Sequence, residues 1–89
     1  MAEVSFTRNL ARHVNADACV ASGSTIGEVL NEVFTQNPEL KSYIVDDQGA
    51  VRKHMGVFVD GDLISDRTKL TDPVNADSKV HVVQALSGG

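Results

Sequence analysis

The stretch Thr25-Ile26-Gly27-Glu28-Val29-Leu30-Asn31-Glu32-Val33-Phe34 decides how this chain folds. Its apolar residues recur at i, i+3, i+4, i+7 and i+8, which is the stripe along one face of an amphipathic helix. Thr25 is a favourable N-cap, and Glu28 three residues later can complete a capping box. Gly27 weakens the first turn, so we expect that turn to pack closely on a sheet. The helix should end before Pro38, because the residue preceding a proline disfavours the α region.

Strand patterns lie on both sides of this helix. Two precede it and three follow it, at residues 2–7, 18–21, 51–59, 62–64 and 79–84. Asp60-Gly61 between two apolar runs is a strong hairpin signal, and a short helical turn is expected after Pro38. The fold class predicted is α+β, a mixed sheet of four to five strands with one main helix packed on one face. The first and last strands should pair in the middle of this sheet.

Length and charge limit the possible functions. The chain has 89 residues, so we predict a single domain at residues 1–84 and a flexible tail at 85–89. Twelve acidic and eight basic residues give a formal charge of −4, which argues against nucleic-acid binding, since that requires a basic patch. No apolar run is long enough to span a membrane, and the first residues lack a signal-peptide profile. We therefore expect a cytoplasmic protein without a membrane partner.

The residues that usually carry chemistry are few and scattered. Cys19 is the single cysteine, which excludes an intrachain disulfide. We interpret it as a small apolar residue on the buried face of a strand. The alternative is that its thiol carries a persulfide or acts as a nucleophile. His13, His54 and His81 are interpreted as surface or satisfied residues. The sequence contains no recognisable Walker or dinucleotide-binding loop, no zinc-ligand spacing and no catalytic triad. We therefore predict no metal, no bound cofactor and no enzymatic activity.

The end of the chain, Ala85-Leu86-Ser87-Gly88-Gly89, is chemically distinctive. Glycine has no Cβ, so two glycines let the backbone approach another molecule closely. They would present one reactive group, the α-carboxylate of Gly89. The alternative is a frayed terminus that happens to carry two small residues.

A second candidate site follows from strand alternation. Four valines are expected to face the helix: Val57, Val59, Val80 and Val82. Phe58, His81 and Val83 then point outward together, and an exposed aromatic residue beside apolar residues is typical of a protein-binding patch. A register shifted by one residue would exchange the two faces.

The element order, with a diglycine after the last strand, resembles the β-grasp fold of ubiquitin and of the MoaD/ThiS sulfur carriers. Thr25-Ile26-Gly27-Glu28-Val29-Leu30 is similar to the capped helix start of the MoaD group. Val57-Phe58-Val59-Asp60-Gly61-Asp62 resembles its central hairpin, and residues 76–80 leading to residues 85–89 resemble its final strand and tail. The resemblance covers nearly the whole chain.

Part of the resemblance is to carriers that feed cysteine and natural-product biosynthesis. The first-loop residues that carry this likeness are Leu10, Arg12 and His13. The chain departs from the family pattern at residues 75–78, where a glycine-containing turn is usual, and at residues 85–87, where many members have proline or valine. These departures leave the receiving pathway open between cysteine, molybdopterin, thiamin, a thiolated RNA base and a secondary metabolite.

The resemblance implies a carrier that serves as a co-substrate. A ubiquitin-activating-like adenylyltransferase would use ATP to adenylate Gly89, and a persulfide-type donor would convert the carboxylate to a thiocarboxylate. A biosynthetic enzyme would then accept the sulfur. Contacts to these partners would come from the tail and the outward strand residues, namely Leu86, Ser87, Gly88, Phe58, His81 and Val83.

Two other functions use the same sequence features. A ubiquitin-like modifier would join Gly89 to a lysine of a target protein through an isopeptide bond. A β-grasp interaction module would leave the diglycine unused. Arg8, Arg12 and His13 form a basic cluster typical of a solvated loop, with contact to a recipient enzyme as the alternative.

Overall fold

The computed structural model describes residues 1–7 and 18–84, which form five strands and two helices. The strands are β1 (Ala2–Phe6), β2 (Cys19–Ala21), β3 (Met55–Val59), β4 (Asp62–Leu63) and β5 (Lys79–Gln84). The helices are α1 (Ile26–Gln36) and α2 (Glu39–Ile44). The basic cluster of the first loop and the whole tail lie outside the described residues, so the division into domain and tail stays a prediction.

The five strands form one mixed sheet in the order β2-β1-β5-β3-β4. β1 and β5 run parallel in the middle, and the other neighbouring pairs are antiparallel. This confirms the α+β β-grasp prediction and the central pairing of the first and last strands. β5, the strand that precedes the tail in the sequence, is therefore held by hydrogen bonds on both edges.

Helix α1 closes one face of the sheet with the predicted apolar stripe. All five stripe residues are buried: Ile26, Val29, Leu30, Val33 and Phe34. The Thr25 hydroxyl accepts the Glu28 backbone N–H at 3.3 Å, which confirms the N-cap. The returning bond differs from the prediction, because the Glu28 carboxylate accepts the backbone N–H of Ser24 at 2.8 Å and the Ser24 hydroxyl at 3.0 Å. Two residues therefore share the capping.

Gly27 packs closely, but against a loop. Its N–H donates to the carbonyl of Leu70 at 2.9 Å, and a Cβ added at Gly27 would lie 3.3 Å from that same oxygen. The prediction that this turn packs on the sheet was wrong. The long connection between β4 and β5 returns across the start of α1, and Leu70 adopts a left-handed φ of 58° there.

The pairing of β3 with β5 has the register from which the outward-facing residues were predicted. Val57 pairs with Val82 and Val59 with Val80. Val57, Val80 and Val82 are at most 1% exposed, and Val59 packs against the core from its edge. The shifted register is excluded, so the residues between these valines face away from α1.

The β3–β4 hairpin turns at Asp60 and Gly61, as predicted. Both have left-handed φ values, 51° and 91°, which a two-residue turn of this kind requires. Within residues 1–7 and 18–84, no helix has the length and apolar character needed to cross a membrane.

Candidate docking face and C-terminal tail

Three apolar side chains converge on the side of the sheet opposite α1. A Cβ added at Gly56 would lie 3.1 Å from a Val83 methyl, 3.6 Å from the Phe58 ring and 3.8 Å from a Leu63 methyl. Leu63 is 54% exposed, whereas Phe58 and Val83 are half-buried. We call this surface, made of Gly56, Phe58, Leu63 and Val83, the outer patch. Because Gly56 has no side chain, the three apolar groups can close over its backbone.

His81 forms the polar border of the outer patch. It is the cross-strand partner of Phe58 on β3 and of Ser5 on β1. The Ser5 hydroxyl oxygen and His81 Nδ1 are 2.7 Å apart, so the imidazole is held in one orientation by a hydrogen bond. The structure therefore places Phe58, His81 and Val83 on one face, and their role in binding a partner stays a prediction.

Sequence reasoning missed Leu63 and Gly56. Leu63 could have been found, because a two-residue turn at Asp60-Gly61 pairs the residues before and after it and so sets Leu63 opposite Phe58. Gly56 could not, because its importance arises from the Val83 methyl group that β5 brings across it.

The face of the sheet opposite α1 changes from apolar to charged across the strands. At the β1–β2 end, Glu3 pairs with Lys79 on one side and with Val20 on the other, and Val20 is 49% exposed. Charged side chains thus lie at one end of this face and the outer patch at the other. A partner that covers the whole face would contact an apolar area at the β3–β4 end and charged side chains toward the β1–β2 end.

The outer patch lies beside the point at which the described part of β5 ends. Gln84 pairs with Met55, one residue from the Val83–Gly56 pair of the patch. The tail residues Leu86, Ser87, Gly88 and Gly89 lie outside the described residues. A five-residue peptide extends at most about 17 Å. A group on residue 89 is therefore limited to about that distance from the end of β5.

Cys19 has the properties of a packing residue. It is half-buried and packs against the core, and this burial raises the pKa of its thiol. A nucleophilic cysteine needs the opposite shift, toward the thiolate. Of the histidines, His54 is exposed and His13 lies outside the described residues. Among the residues that the structure describes, no group of three or more His, Cys, Asp or Glu side chains is arranged to hold a metal ion.

Solved structures with the same fold include a chain of a BexX/CysO complex, a CysO protein and a small archaeal modifier protein. The chain matches a chain of the BexX/CysO complex from Amycolatopsis orientalis at a TM-score of 0.84 and 19% identity, with 100% of both chains covered. CysO from Mycobacterium tuberculosis matches at 0.82 and 18%, covering 97% of this chain and 100% of that one. SAMP1, a small archaeal modifier protein from Haloferax volcanii, matches at 0.79 and 22%, covering 99% and 98%.

At these identities the structural likeness establishes the fold. No curated protein sequence matches the chain significantly. A family model is more specific, because the ThiS family model matches residues 6–89 and so includes the final diglycine. The chain therefore belongs to the ThiS family, whose members are β-grasp proteins of the MoaD/ThiS sulfur-carrier type.

Proposed function

We propose that this protein is a sulfur carrier that works through the carboxylate of Gly89. A partner enzyme adenylates this carboxylate with ATP, a persulfide-type donor converts it to a thiocarboxylate, and a biosynthetic enzyme accepts the sulfur. The observation that carries the proposal is the ThiS family match, which continues through the diglycine to residue 89.

The chemistry explains why activation is needed. A carboxylate is a poor electrophile, because its charge is delocalised and its oxygen is a poor leaving group. When a carboxylate oxygen attacks the α-phosphorus of ATP, pyrophosphate leaves and an acyl-adenylate forms. The terminal sulfur of a persulfide can then attack the carbonyl and expel AMP. A second thiol that cleaves the resulting S–S bond leaves the thiocarboxylate on the carrier.

The sulfur in this scheme comes from a partner. Cys19 is the only cysteine of the chain, and its burial raises the pKa of its thiol, which disfavours the nucleophilic form. The two glycines suit a narrow channel, because the absence of Cβ atoms leaves the last carbonyl open to attack.

The outer patch supplies the second part of the proposed site. Contiguous exposed apolar surface on a small domain is typical of a protein-binding site. The patch lies next to the end of β5, and five extended residues reach about 17 Å from that end, so the tail could enter the active site of a partner that holds the patch. We therefore propose that the activating enzyme docks on this face while the tail enters its active site.

The test is ATP–pyrophosphate exchange catalysed by the cognate activating enzyme, with the carrier as substrate. One added alanine after Gly89 should abolish exchange, because the reacting carboxylate is displaced from the active site. One added alanine before Met1 is the matched control and should leave exchange unchanged. Normal exchange with the C-terminally extended protein would contradict the proposal.

Protein conjugation is the second candidate function, favoured by the structural likeness to SAMP1. In that case an amine attacks the activated Gly89, and the protein becomes attached to target lysines. Branched lysine adducts in its own host would support this function. A protein that is neither thiocarboxylated nor conjugated in the presence of the activating enzyme, ATP and a sulfur donor would be an interaction module.

A further inference from the structure

We propose that a basic corner of the molecule, beside the end of β5, contacts an acidic surface of the activating enzyme. The corner consists of Arg52, Lys53, His54 and Arg67, and we call it the basic corner. The inference rests on the proposed function, because it concerns the enzyme that activates Gly89. It adds a contact between charged groups to the apolar docking proposed for the outer patch.

Hydrogen bonds gather the four residues of the basic corner at one turn. The N–H of Met55 donates to the carbonyl of Arg52 at 3.0 Å, which closes a turn with Lys53 and His54 between them. Nη2 of Arg67 donates to the carbonyls of Arg52 and Met55, each at 2.7 Å. The loop between β4 and β5 thus adds a third cation to the two of the turn.

The basic corner offers hydrogen-bond donors that the fold leaves free. Arg52 donates through Nε to the Ser42 carbonyl at 2.7 Å, and Arg67 donates through Nη2 alone. Within the described part of the chain, the other N–H groups of these two side chains make no hydrogen bond or ion pair. Both arginines are half-buried, and Lys53 and His54 are exposed. Because the guanidinium groups are already anchored, a partner carboxylate would bind them with little loss of side-chain entropy.

The neighbouring carboxylates do not pair with these cations. Asp66, next to Arg67, accepts backbone N–H groups of its own loop at 3.2 and 2.9 Å. Asp46 accepts those of its own turn at 2.9 and 3.1 Å, and Asp47 is exposed in the recess that both share with Arg52. No ion pair joins a carboxylate of residues 1–7 or 18–84 to the basic corner. Its cations therefore remain available to a partner.

The two ends of the sheet carry opposite charge. Three exposed carboxylates, those of Asp60, Asp62 and Asp77, lie at the end where β5 begins. Lys79 lies at that end too, with Glu3 as its cross-strand neighbour. The basic corner lies at the end where β5 stops, although the whole chain has a formal charge of −4. This asymmetry would orient an approaching acidic surface toward the end of β5.

The basic corner adjoins the outer patch. The pair of Met55 with Gln84 lies between the turn and the Gly56–Val83 pair of the patch, and the tail follows Gln84 in the sequence. An enzyme that covers the outer patch and receives the tail would therefore also lie over the basic corner. Charge complementarity at this position favours an acidic enzyme surface.

The experiment is ATP–pyrophosphate exchange by the cognate activating enzyme, with the carrier concentration varied to separate KM from kcat. Arg52→Gln combined with Lys53→Glu should raise the KM for the carrier roughly tenfold, the factor expected for two lost surface ion pairs. The kcat should be unchanged, because Gly89 and the tail are intact. Added salt should raise the KM of the unmodified protein more steeply than that of the double variant, because it screens the same ion pairs.

Two single variants with equal changes of charge provide the matched control. Lys53→Glu should raise the KM on its own, and it can be tested alone because the Lys53 side chain makes no hydrogen bond or ion pair in the described structure. Lys69→Glu reverses an exposed lysine on the loop that crosses the start of α1 and should leave the KM unchanged. Arg52→Lys keeps the charge and should retain most of the affinity. Melting curves would verify that every variant remains folded.

The possible failures of the inference and of the proposed function can be told apart. An unchanged KM for Lys53→Glu and for the double variant, with normal exchange by the unmodified protein, would overturn the basic corner alone. An equal rise in KM with Lys69→Glu would trace the effect to net charge and would overturn it as well. No exchange with the unmodified protein would contradict the proposed function, and the inference with it.

Discussion

Phe58 is the residue on which the docking part of the proposed function depends. It lies between His81 and Leu63 across the sheet, and its ring is 3.6 Å from the position of a Cβ at Gly56. Its side chain is half-buried by these neighbours and does not enter the core beneath α1. A partner would therefore gain an aromatic anchor whose ring lies outside the core beneath α1.

Replacing Phe58 with alanine should weaken binding of the activating enzyme by about 2 kcal/mol, roughly thirtyfold, as for a central aromatic residue of an interface. The melting temperature should change little. Calorimetric titration of the enzyme measures the effect, with Tyr43→Ala, an exposed aromatic residue on α2, as the control. Loss of the folded state in Phe58→Ala would instead assign the ring to the core.

Asp66 should make stability depend on pH. Hydrogen bonds from the Thr71 hydroxyl and the Lys69 amide, followed by those from Thr68, hold the pKa of its carboxyl well below the ordinary value. A depressed pKa contributes stability above the pKa of the unfolded chain, about 3.9, and loses it as the pH falls further. Urea midpoints should therefore fall more steeply from about pH 4 to pH 2 in the unmodified protein than in Asp66→Asn. Parallel curves would contradict this role.

Helix α1 shows how far an element can be derived from its own sequence. Its apolar period, its N-cap and its end before Pro38 were all predicted correctly, because they depend on residues within a few positions of one another. Of the two features that were wrong, one involves a segment remote in sequence and the other a neighbouring residue one position further from Glu28. Gly27 meets Leu70, which is remote in sequence, and Glu28 reaches Ser24 where Thr25 was expected.

Thr25→Ala should destabilise the domain by about 1 kcal/mol, because it removes the side-chain acceptor of the Glu28 backbone N–H in the first turn of α1. Thr35→Ala is the matched control, since Thr35 is an exposed residue inside the same helix whose hydroxyl donates to the Asn31 carbonyl at 3.0 Å. Its removal should have little effect. Equal urea midpoints for the two variants would show that the Ser24–Glu28 bonds cap the helix without Thr25.

At the scale of the whole molecule, the two faces of the mixed sheet differ in what covers them. One side carries α1, and the other carries the outer patch beside the end of β5. The β3–β4 hairpin and the outward positions of Phe58, His81 and Val83 followed from turn chemistry and strand alternation. The close approach of Val83 to Gly56 could not be predicted, because it depends on the pairing of β3 with β5, which are remote in sequence.

The central claim is that the carboxylate of Gly89 carries sulfur, and intact-mass measurement tests it most directly. The purified protein would be incubated with its activating enzyme, ATP and a persulfide donor, and with each component omitted in turn. We predict a mass increase equal to the exchange of one oxygen for sulfur, located on the C-terminal peptide and dependent on ATP. An unchanged mass in the complete reaction, although the activating enzyme adenylates the protein, would contradict the claim.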